Sequence, residues 1–250
     1  MTWAQRRRFM IIGGAVAIGV LLLAGLIVSI VYETPSCTDQ VQNQDEAGVD
    51  CGGSCARICT VQVDAPRISF ARALQQADGR TDVIAYIENR NRGAVAKHAR
   101  YSVELYNDAG LQIATREDTI DLPAQSIVPI FLPGVYAGSL PVAKAFVSFE
   151  EDIVWTKPKT ELVIPTVSRA EFVQGFQPRI NAELQNSSPY ALFNVRVVAT
   201  AFGADGNALA ASQTVVREIP ARGSASAVFT WNAPFGEPLR VEVLPIIPLP

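Results

Sequence analysis

The feature that most constrains this chain is residues 9–32, a run of 24 residues without a charged side chain. A helix rises about 1.5 Å per residue, so such a run crosses a hydrocarbon core of roughly 30 Å. Three arginines at 6–8 precede the run and Glu33 follows it. Because basic flanks stay in the cytoplasm, the pattern predicts a cytoplasmic segment 1–8 and a transmembrane helix over 9–32 in the plasma membrane. Tyr32 is expected at the outer interface, and the rest of the chain is expected to be extracytoplasmic.

A cleaved signal peptide is the competing interpretation of this run. Signal peptides have shorter apolar regions, of about 7–15 residues, that end at a small-x-small site. Val28-Ser29-Ile30 is a poor site of that kind, so the length favours an uncleaved anchor. Small residues four apart, such as Gly13 and Ala17, also permit close helix packing and therefore self-association.

Four cysteines, the only ones in the chain, fall within 23 residues: Cys37, Cys51, Cys55 and Cys59. Thiols outside the cytoplasm oxidise, so the cluster predicts a neck over 33–60 with two disulfides, in one of three connectivities. The alternative is a zinc site, because the spacing of three residues between the last three cysteines is close to that of zinc-binding pairs.

Hard oxygen ligands lie between the first two cysteines. They are Asp39, Asn43, Asp45, Glu46 and Asp50. Calcium prefers such ligands, although the order of an EF-hand loop is missing. The neck is therefore either a solvated acidic loop or a calcium site, and calcium is the one cofactor that the sequence suggests.

The stretch from Cys37 to Cys55 reads CTDQVQNQDEAGVDCGGSC. It resembles a short cysteine module of extracytoplasmic bacterial proteins, roughly C-x-D-G-x-x-N-Q-D-E-x-G-V-D-C-G-G-x-C, and departs from it at Gln40, where that module often has Gly. The resemblance implies an exported, disulfide-bonded surface protein. It implies no catalytic activity.

Residues 61–250 have short alternating runs broken by turn residues, which is typical of all-β domains. Residues 101–106 alternate between apolar and polar side chains, and the turn residues Asn107-Asp108-Ala-Gly110 follow them. The strand-like residues 195–202 are likewise followed by the turn residues Ala204-Asp205-Gly206-Asn207. Asp-Gly tolerates positive φ and therefore predicts a tight hairpin turn at the second site.

Matching residues recur at an interval of 97 positions. The pairs are Asn89 and Asn186, Asp108 and Asp205, and Pro123 and Pro220. The interval indicates an internal duplication. About 90 residues per copy suffice for some seven strands, so we expect two tandem immunoglobulin-like β-sandwich domains, over 61–150 and 151–250. In both copies the asparagine is expected to end a strand and turn the chain.

Each copy resembles the FxLYD-type domain, an extracytoplasmic β-sandwich of bacterial surface proteins. The residues that carry the resemblance are 180–188, 195–206 and 219–223 in the second copy, and 83–89, 103–108 and 122–123 in the first. The initial Phe of the family is replaced by Val103 and Thr200. The resemblance implies the sandwich fold more than any function.

Two further segments leave alternatives open. Residues 150–159 combine charge with Pro and predict a stiff linker, in which Trp155 either seals the domain interface or belongs to the core of the second domain. The proline-rich end, 244–250, either closes the last strand or docks on a partner.

Charge and motifs exclude several functions. The net charge is −3, and residues 33–250 carry 18 basic and 24 acidic side chains, so phosphate-neutralising nucleic-acid binding is not expected. The sequence contains none of the common catalytic motifs. Its one histidine, His98, is expected at the surface, and Glu150, Glu151 and Asp152 at a solvated boundary rather than as a glycosidase pair.

The sequence therefore predicts a single-pass bacterial surface protein that is not an enzyme. Its expected role is structural or protein-binding in an envelope assembly, with an envelope protein or a second copy as partner. The alternative is a ligand- or calcium-binding surface module.

Overall fold

A computed structural model of the chain describes residues 3–31, 36–43 and 45–250, and only the backbone of residues 30 and 31. Tyr32 and Glu33, which the sequence predicts at the outer end of the membrane helix, are not among the described residues. The chain divides into two compact units, residues 1–55 and 56–250, which are described separately. The structure confirms the predicted fold class, an all-β region after one N-terminal helix.

Helix α1, Trp3–Val31, contains residues 9–31 of the uncharged run and begins before it, so the three arginines lie in its first turns rather than before the helix. Its candidate membrane-spanning part is Trp3–Ser29, with a mean hydropathy of 2.8. The described side chains of this part are all exposed. A helix that is apolar all round and exposed in water is unstable, whereas its length and composition suit a bilayer.

The second unit begins with a short 3-10 helix, Thr60–Gln62. Seven strands follow in its first half: β1 (Arg67–Gln75), β2 (Thr81–Asn89), β3 (Val95–Tyr106), β4 (Gln112–Leu122), β5 (Ser126–Tyr136), β6 (Lys144–Phe149) and β7 (Trp155–Thr156). They form one antiparallel sheet in the order β1-β2-β5 and another in the order β4-β3-β6, with β7 also paired to β3.

Six strands form the second half: β8 (Thr166–Val173), β9 (Arg179–Gln185), β10 (Leu192–Phe202), β11 (Ala208–Ile219), β12 (Ser224–Thr230) and β13 (Arg240–Ile246). Their two sheets have the orders β8-β9-β12 and β11-β10-β13. Strand for strand, these orders match those of β1 to β6.

Each half has its own core between its two sheets. In the first half, Val83 and Ile87 of β2 pack with Val103 and Leu105 of β3. In the second half, Ile180 and Leu184 of β9 pack with residues of β10 and β12. Alternate side chains of these strands point into the cores, as period-two burial requires.

A third buried cluster joins the two halves. The opposite face of β2 contributes Ile84 and Tyr86, and β10 contributes Val198 and Phe202. The ring of Phe202 lies edge-on to Tyr86, with 6.2 Å between centroids. The two sandwiches therefore pack sheet against sheet, and β2 is buried on both faces.

Trp155 has a position that neither sequence interpretation foresaw. It is 3% exposed and packs in the core of the first half, because β7 pairs Trp155 with Ala96 of β3. Backbone hydrogen bonds join Ile58 N to Trp155 O and Lys157 N to Ala56 O. The first sandwich therefore includes residues on both sides of its expected bounds at 61 and 150.

The two long hairpins have the same five-residue turn. Asn107 N donates to Leu111 O in one, and Gly203 N donates to Asn207 O in the other. Gly110 and Gly206 have the same φ of 77°. These residues are 96 positions apart, so Asp108 is equivalent to Ala204. The sequence match of Asp108 to Asp205 is wrong by one residue, because the turn from Asn89 to Ala94 is one residue longer than the equivalent turn from Asn186 to Tyr190.

Candidate functional site

The cysteine module is oxidised. Cys37 and Cys55 form a disulfide, Cys51 and Cys59 are disulfide-bonded as well, and none of the four is a free thiol. This confirms the predicted disulfides. A sulfur in a disulfide is not a thiolate, so these residues offer no cysteine ligand for the zinc alternative.

Tight turns shape the module. Gln40 has a φ of 62°, and its N–H donates to the carboxylate of Asp50. A Cβ on Gly53 would lie 2.0 Å from the carbonyl oxygen of Asp45. Gly53 is therefore required for the close approach of the two backbone segments.

The five calcium candidates accept or donate hydrogen bonds within the module. Asp39 accepts from Val41 N at 2.9 Å and from Asn43 Nδ2 at 2.8 Å, and these two hydrogen bonds lower the pKa of its carboxyl group. Asp50 bonds to Gln40, and Asp45 accepts from Ser54 Oγ. Each carboxylate thus has a different set of donors.

Glu46 is the buried acid of the module. Its Oε2 accepts from Asn43 N, and its Oε1 lies 3.2 Å from Sγ of Cys55. Among the described residues, the ligand-type atoms that come within 4.8 Å of one another are those of Cys37, Glu46 and Cys55. Two of these are in the disulfide, and calcium binding by the module stays a prediction.

Asn89 and Asn186 hold equivalent turns together. Asn89 Nδ2 lies within hydrogen-bond distance of the carbonyl oxygens of Ala94, Leu122 and Pro123. Asn186 Nδ2 makes the same contacts with Tyr190, Ile219 and Pro220. Both side chains are buried. The structure confirms that each asparagine ends a strand and ties the following turn.

His98 lies in the β3 bulge with a φ of 50° and an exposed side chain. Its backbone N donates to Oδ1 of Asp121 at 2.8 Å, and Oδ2 of Asp121 accepts from Leu249 N at 2.9 Å. Asp121 therefore ties the last residues of the chain to the first sandwich. Glu150 to Asp152 are exposed, as predicted.

A cleft of about 740 Å³ lies in the second unit, and we call it the junction cleft. Five separate segments line it: Ala56, the two turns of the first sandwich around Val95 and Pro123, residues 156–164 between the two halves, and Leu249-Pro250. The apolar part of its wall includes Leu162 and Ile164. A volume of this size suits a small ligand or a short peptide segment.

Four cations line the junction cleft, and we call them the basic rim. They are Arg92, Lys97, Lys157 and Lys159. Glu161 is the one acidic side chain in the lining. Arg92, Lys97 and Lys159 make no ion pair with any residue that the structure describes. The cleft thus combines an apolar wall with unneutralised positive charge.

Sequence reasoning missed this cleft because its lining comes from five segments that are distant in sequence. The available signal was local: Lys157-Pro158-Lys159 lies in a region where the chain otherwise carries acidic residues. Without the fold, nothing placed these lysines beside Arg92 and Lys97.

No protein-family model matches the chain, and no curated protein matches it either. Among solved structures, the crystal structure of red sea bream transglutaminase is similar at 15% identity and a TM-score of 0.24, covering 73% of this chain. A β-glucuronidase from glycoside hydrolase family 2 is similar at 13% identity and a TM-score of 0.20, covering 86% of this chain. The similarity spans 29% of the length of each of those proteins, and at these TM-scores it carries no functional argument.

Proposed function

We propose that the protein is a non-enzymatic protein of the bacterial envelope, anchored by one membrane helix, that binds a partner protein through residues 56–250. The N-terminal apolar helix and the disulfides fit a membrane-anchored extracytoplasmic protein. The arginines at 6–8 favour a cytoplasmic N-terminus.

The observation that carries the proposal is the junction cleft in a unit built from two packed sandwiches. The third buried cluster joins the sandwiches, so the cleft walls keep their relative positions. A preformed site loses little conformational entropy when it binds. The lining has no His or Cys, and Glu161 is its one acidic side chain. Its side-chain hydroxyl groups are those of Thr156 and Thr160, and the lining holds no histidine to act as their base. This composition suits binding better than acid–base chemistry.

We also infer that the two halves are FxLYD-type repeats that arose by duplication. The matching strand orders and the equivalent contacts of Asn89 and Asn186 support this proposal. The cysteine module before them, with its required Gly53, supports the assignment to an exported bacterial surface protein.

Site-specific photo-crosslinking on intact envelopes tests the partner-binding role. A benzophenone amino acid is placed at Gln125 and Thr160 in the cleft lining, and at Val215 and Val228 on exposed strand positions elsewhere. We expect adducts with one or two envelope proteins from at least one position. If all positions give only background adducts across several growth conditions, the partner-binding role is wrong.

Protease protection tests the orientation. Protease added to intact spheroplasts should degrade residues 56–250 and spare a tag placed before Met1, because the basic flank stays inside. The reverse pattern would overturn the proposed topology, and a soluble fragment released without protease would indicate a cleaved signal peptide.

A further inference from the structure

The basic rim is a local exception in an acidic region. Residues 33–250 carry more acidic than basic side chains, yet four of the basic ones line a single cleft. Their side chains are all exposed. Charges further apart than about 8 Å are largely screened at physiological salt. A ligand in the cleft therefore experiences the rim rather than the net charge of the protein.

We propose that the junction cleft binds an extended acidic peptide segment of the partner protein, whose carboxylates face the basic rim and whose apolar side chains contact the cleft wall. This inference rests on the proposed partner-binding function and specifies its site. In an extended segment, successive side chains point to opposite sides, so one face can be acidic and the other apolar.

The composition of the lining favours a peptide over a purely anionic polymer. Val95, Leu162, Ile164 and Leu249 offer apolar surface, and removing such surface from water favours binding. A phosphate-rich polymer would contact the basic rim and leave this apolar surface exposed to water. A peptide with alternating acidic and apolar residues uses both.

The walls of the cleft are fixed before any ligand binds. Leu249 is held by Asp121, which also accepts from the backbone of the β3 bulge beside Lys97. Pro123 is held by Asn89. The segment that carries Lys157 is held by its backbone bond to Ala56. These bonds anchor the two turns of the first sandwich, the segment of Lys157 and the segment of Leu249.

The rim should make binding depend strongly on salt and on the charge of the ligand. Among the described residues, none forms an ion pair with Arg92, Lys97 or Lys159, so an incoming carboxylate does not have to break such a pair. Complementary charge of this kind also raises association rates and suppresses wrong partners.

The test uses the full chain in phosphatidylcholine nanodiscs and fluorescein-labelled decapeptides. One peptide alternates Glu and Val, a second replaces Glu by Gln, and a third replaces Val by Gly. The cleft variant is K97E/K159E. The control variant is K144E/R217E, which makes the same charge change at two exposed positions outside the cleft lining. Fluorescence anisotropy gives the affinities, and inorganic polyphosphate serves as competitor.

We expect the Glu/Val peptide to bind the wild type and the control variant equally. The cleft variant should bind it at least about tenfold more weakly, which corresponds to about 1.4 kcal/mol. Both the Gln/Val and the Glu/Gly peptides should also bind more weakly, and salt raised from about 0.05 to 0.5 M should release the Glu/Val peptide.

Two outcomes would overturn the inference. Equal binding to the wild type and the cleft variant would place the peptide elsewhere. Equal binding of the Glu/Val and Glu/Gly peptides, together with displacement by polyphosphate, would mean that the cleft recognises charge alone. Neither result affects the partner-binding role, because photo-crosslinks from Val215 or Val228 would still support a partner on another face.

Discussion

The two sandwiches share a framework but present different chemistry at equivalent positions. In each half, the side-chain amide of the buried asparagine donates to the carbonyl oxygen of an equivalent residue. This residue is Ala94 in the first half and Tyr190 in the second. Three residues further on, the first half has the exposed Lys97 and the second half has Phe193, which is 64% exposed. The framework contacts are the same, while the side chains that face solvent change from a cation to an aromatic ring.

This difference separates stability from recognition. The buried asparagines, the paired strands and the turn geometry recur because each half needs them to fold. Side chains on the turns are free to vary, as is usual where a rigid scaffold carries binding loops. The first half carries a basic cleft at this end, and we infer that the second half contributes mainly the packing that holds the unit together.

The largest expected effect comes from separating the two halves. Phe202→Ala removes a ring that packs in the third buried cluster against Phe70 and Tyr86. We expect a loss of about 3–5 kcal/mol in the free energy of unfolding. Chemical denaturation of the full chain, followed by circular dichroism, measures it.

Phe193→Ala on the same strand, β10, is the matched control. Its side chain is exposed, so its effect should stay within about 0.5 kcal/mol. An equally small effect of Phe202→Ala would mean that the halves are stable independently of each other.

The next effect tests whether the two framework asparagines are equivalent. Asn89→Ala and Asn186→Ala each remove the contacts of one buried amide with three carbonyl oxygens, and we expect each to cost about 2–3 kcal/mol. Asn207→Ala, which removes a hydrogen bond to exposed Asp205, should cost much less. Thermal unfolding of the three variants makes the comparison. Costs that differ by more than about 2 kcal/mol between the first two would contradict a shared framework.

A smaller effect is expected at the turn that follows each asparagine contact. Gln125 and Arg222 have φ values of 48° and 50°, a region that is unfavourable for residues with a Cβ. Replacing either residue by Gly should raise stability by up to about 1 kcal/mol, offset in part by the greater freedom of Gly in the unfolded chain. A clear loss at one site alone would show that its side chain makes a stabilising contact.

The smallest effect concerns a position at which the halves differ in charge. Asp82 in β2 is 7% exposed and accepts from Gly134 N at 2.7 Å, whereas Arg179 at the equivalent place in β9 is exposed. Burial raises the pKa of Asp82, and the Gly134 hydrogen bond opposes this rise. The folded state therefore keeps the proton where the unfolded state has lost it, so stability falls as pH rises through this titration.

D82N does not titrate at this position. As the pH rises from about 3 to about 7, we expect the free energy of unfolding of D82N to increase relative to that of the wild type. The increase is complete once Asp82 is ionised in the folded wild type. Urea midpoints across that pH range measure the difference. A relative loss with rising pH would mean that Arg80, rather than burial, controls this carboxyl group.

The parts of the fold that local chemistry determines could be predicted from the sequence. Alternation predicted the strands, Asp205-Gly206 predicted a turn, and the asparagines were recognised as strand ends. The match of Asp108 to Asp205 failed because the turn after Asn89 is one residue longer than the turn after Asn186, and a constant interval cannot represent a difference in turn length. Trp155 was misplaced because pairing of β7 with β3 is a long-range contact.

The sequence of β2 does contain a pattern that indicates the sheet-to-sheet packing of the two halves. Residues 82–87 of β2 are buried on both faces, and Val83 to Ile87 form a continuous apolar run rather than an alternating one. Such runs are typical of strands covered on both sides. The cleft left no comparable signal, since its lining comes from five segments that only the fold brings together.

Double-sided burial of β2 has a consequence for hydrogen–deuterium exchange. This strand is central in its sheet, between β1 and β5, and each of its faces belongs to a different hydrophobic cluster. No local fluctuation can expose its amides without opening one sandwich core and the contact with the other sandwich together. The amides of β2, and those of β10 around Val198, should therefore exchange only through global unfolding, as one cooperative unit that spans both halves of the chain.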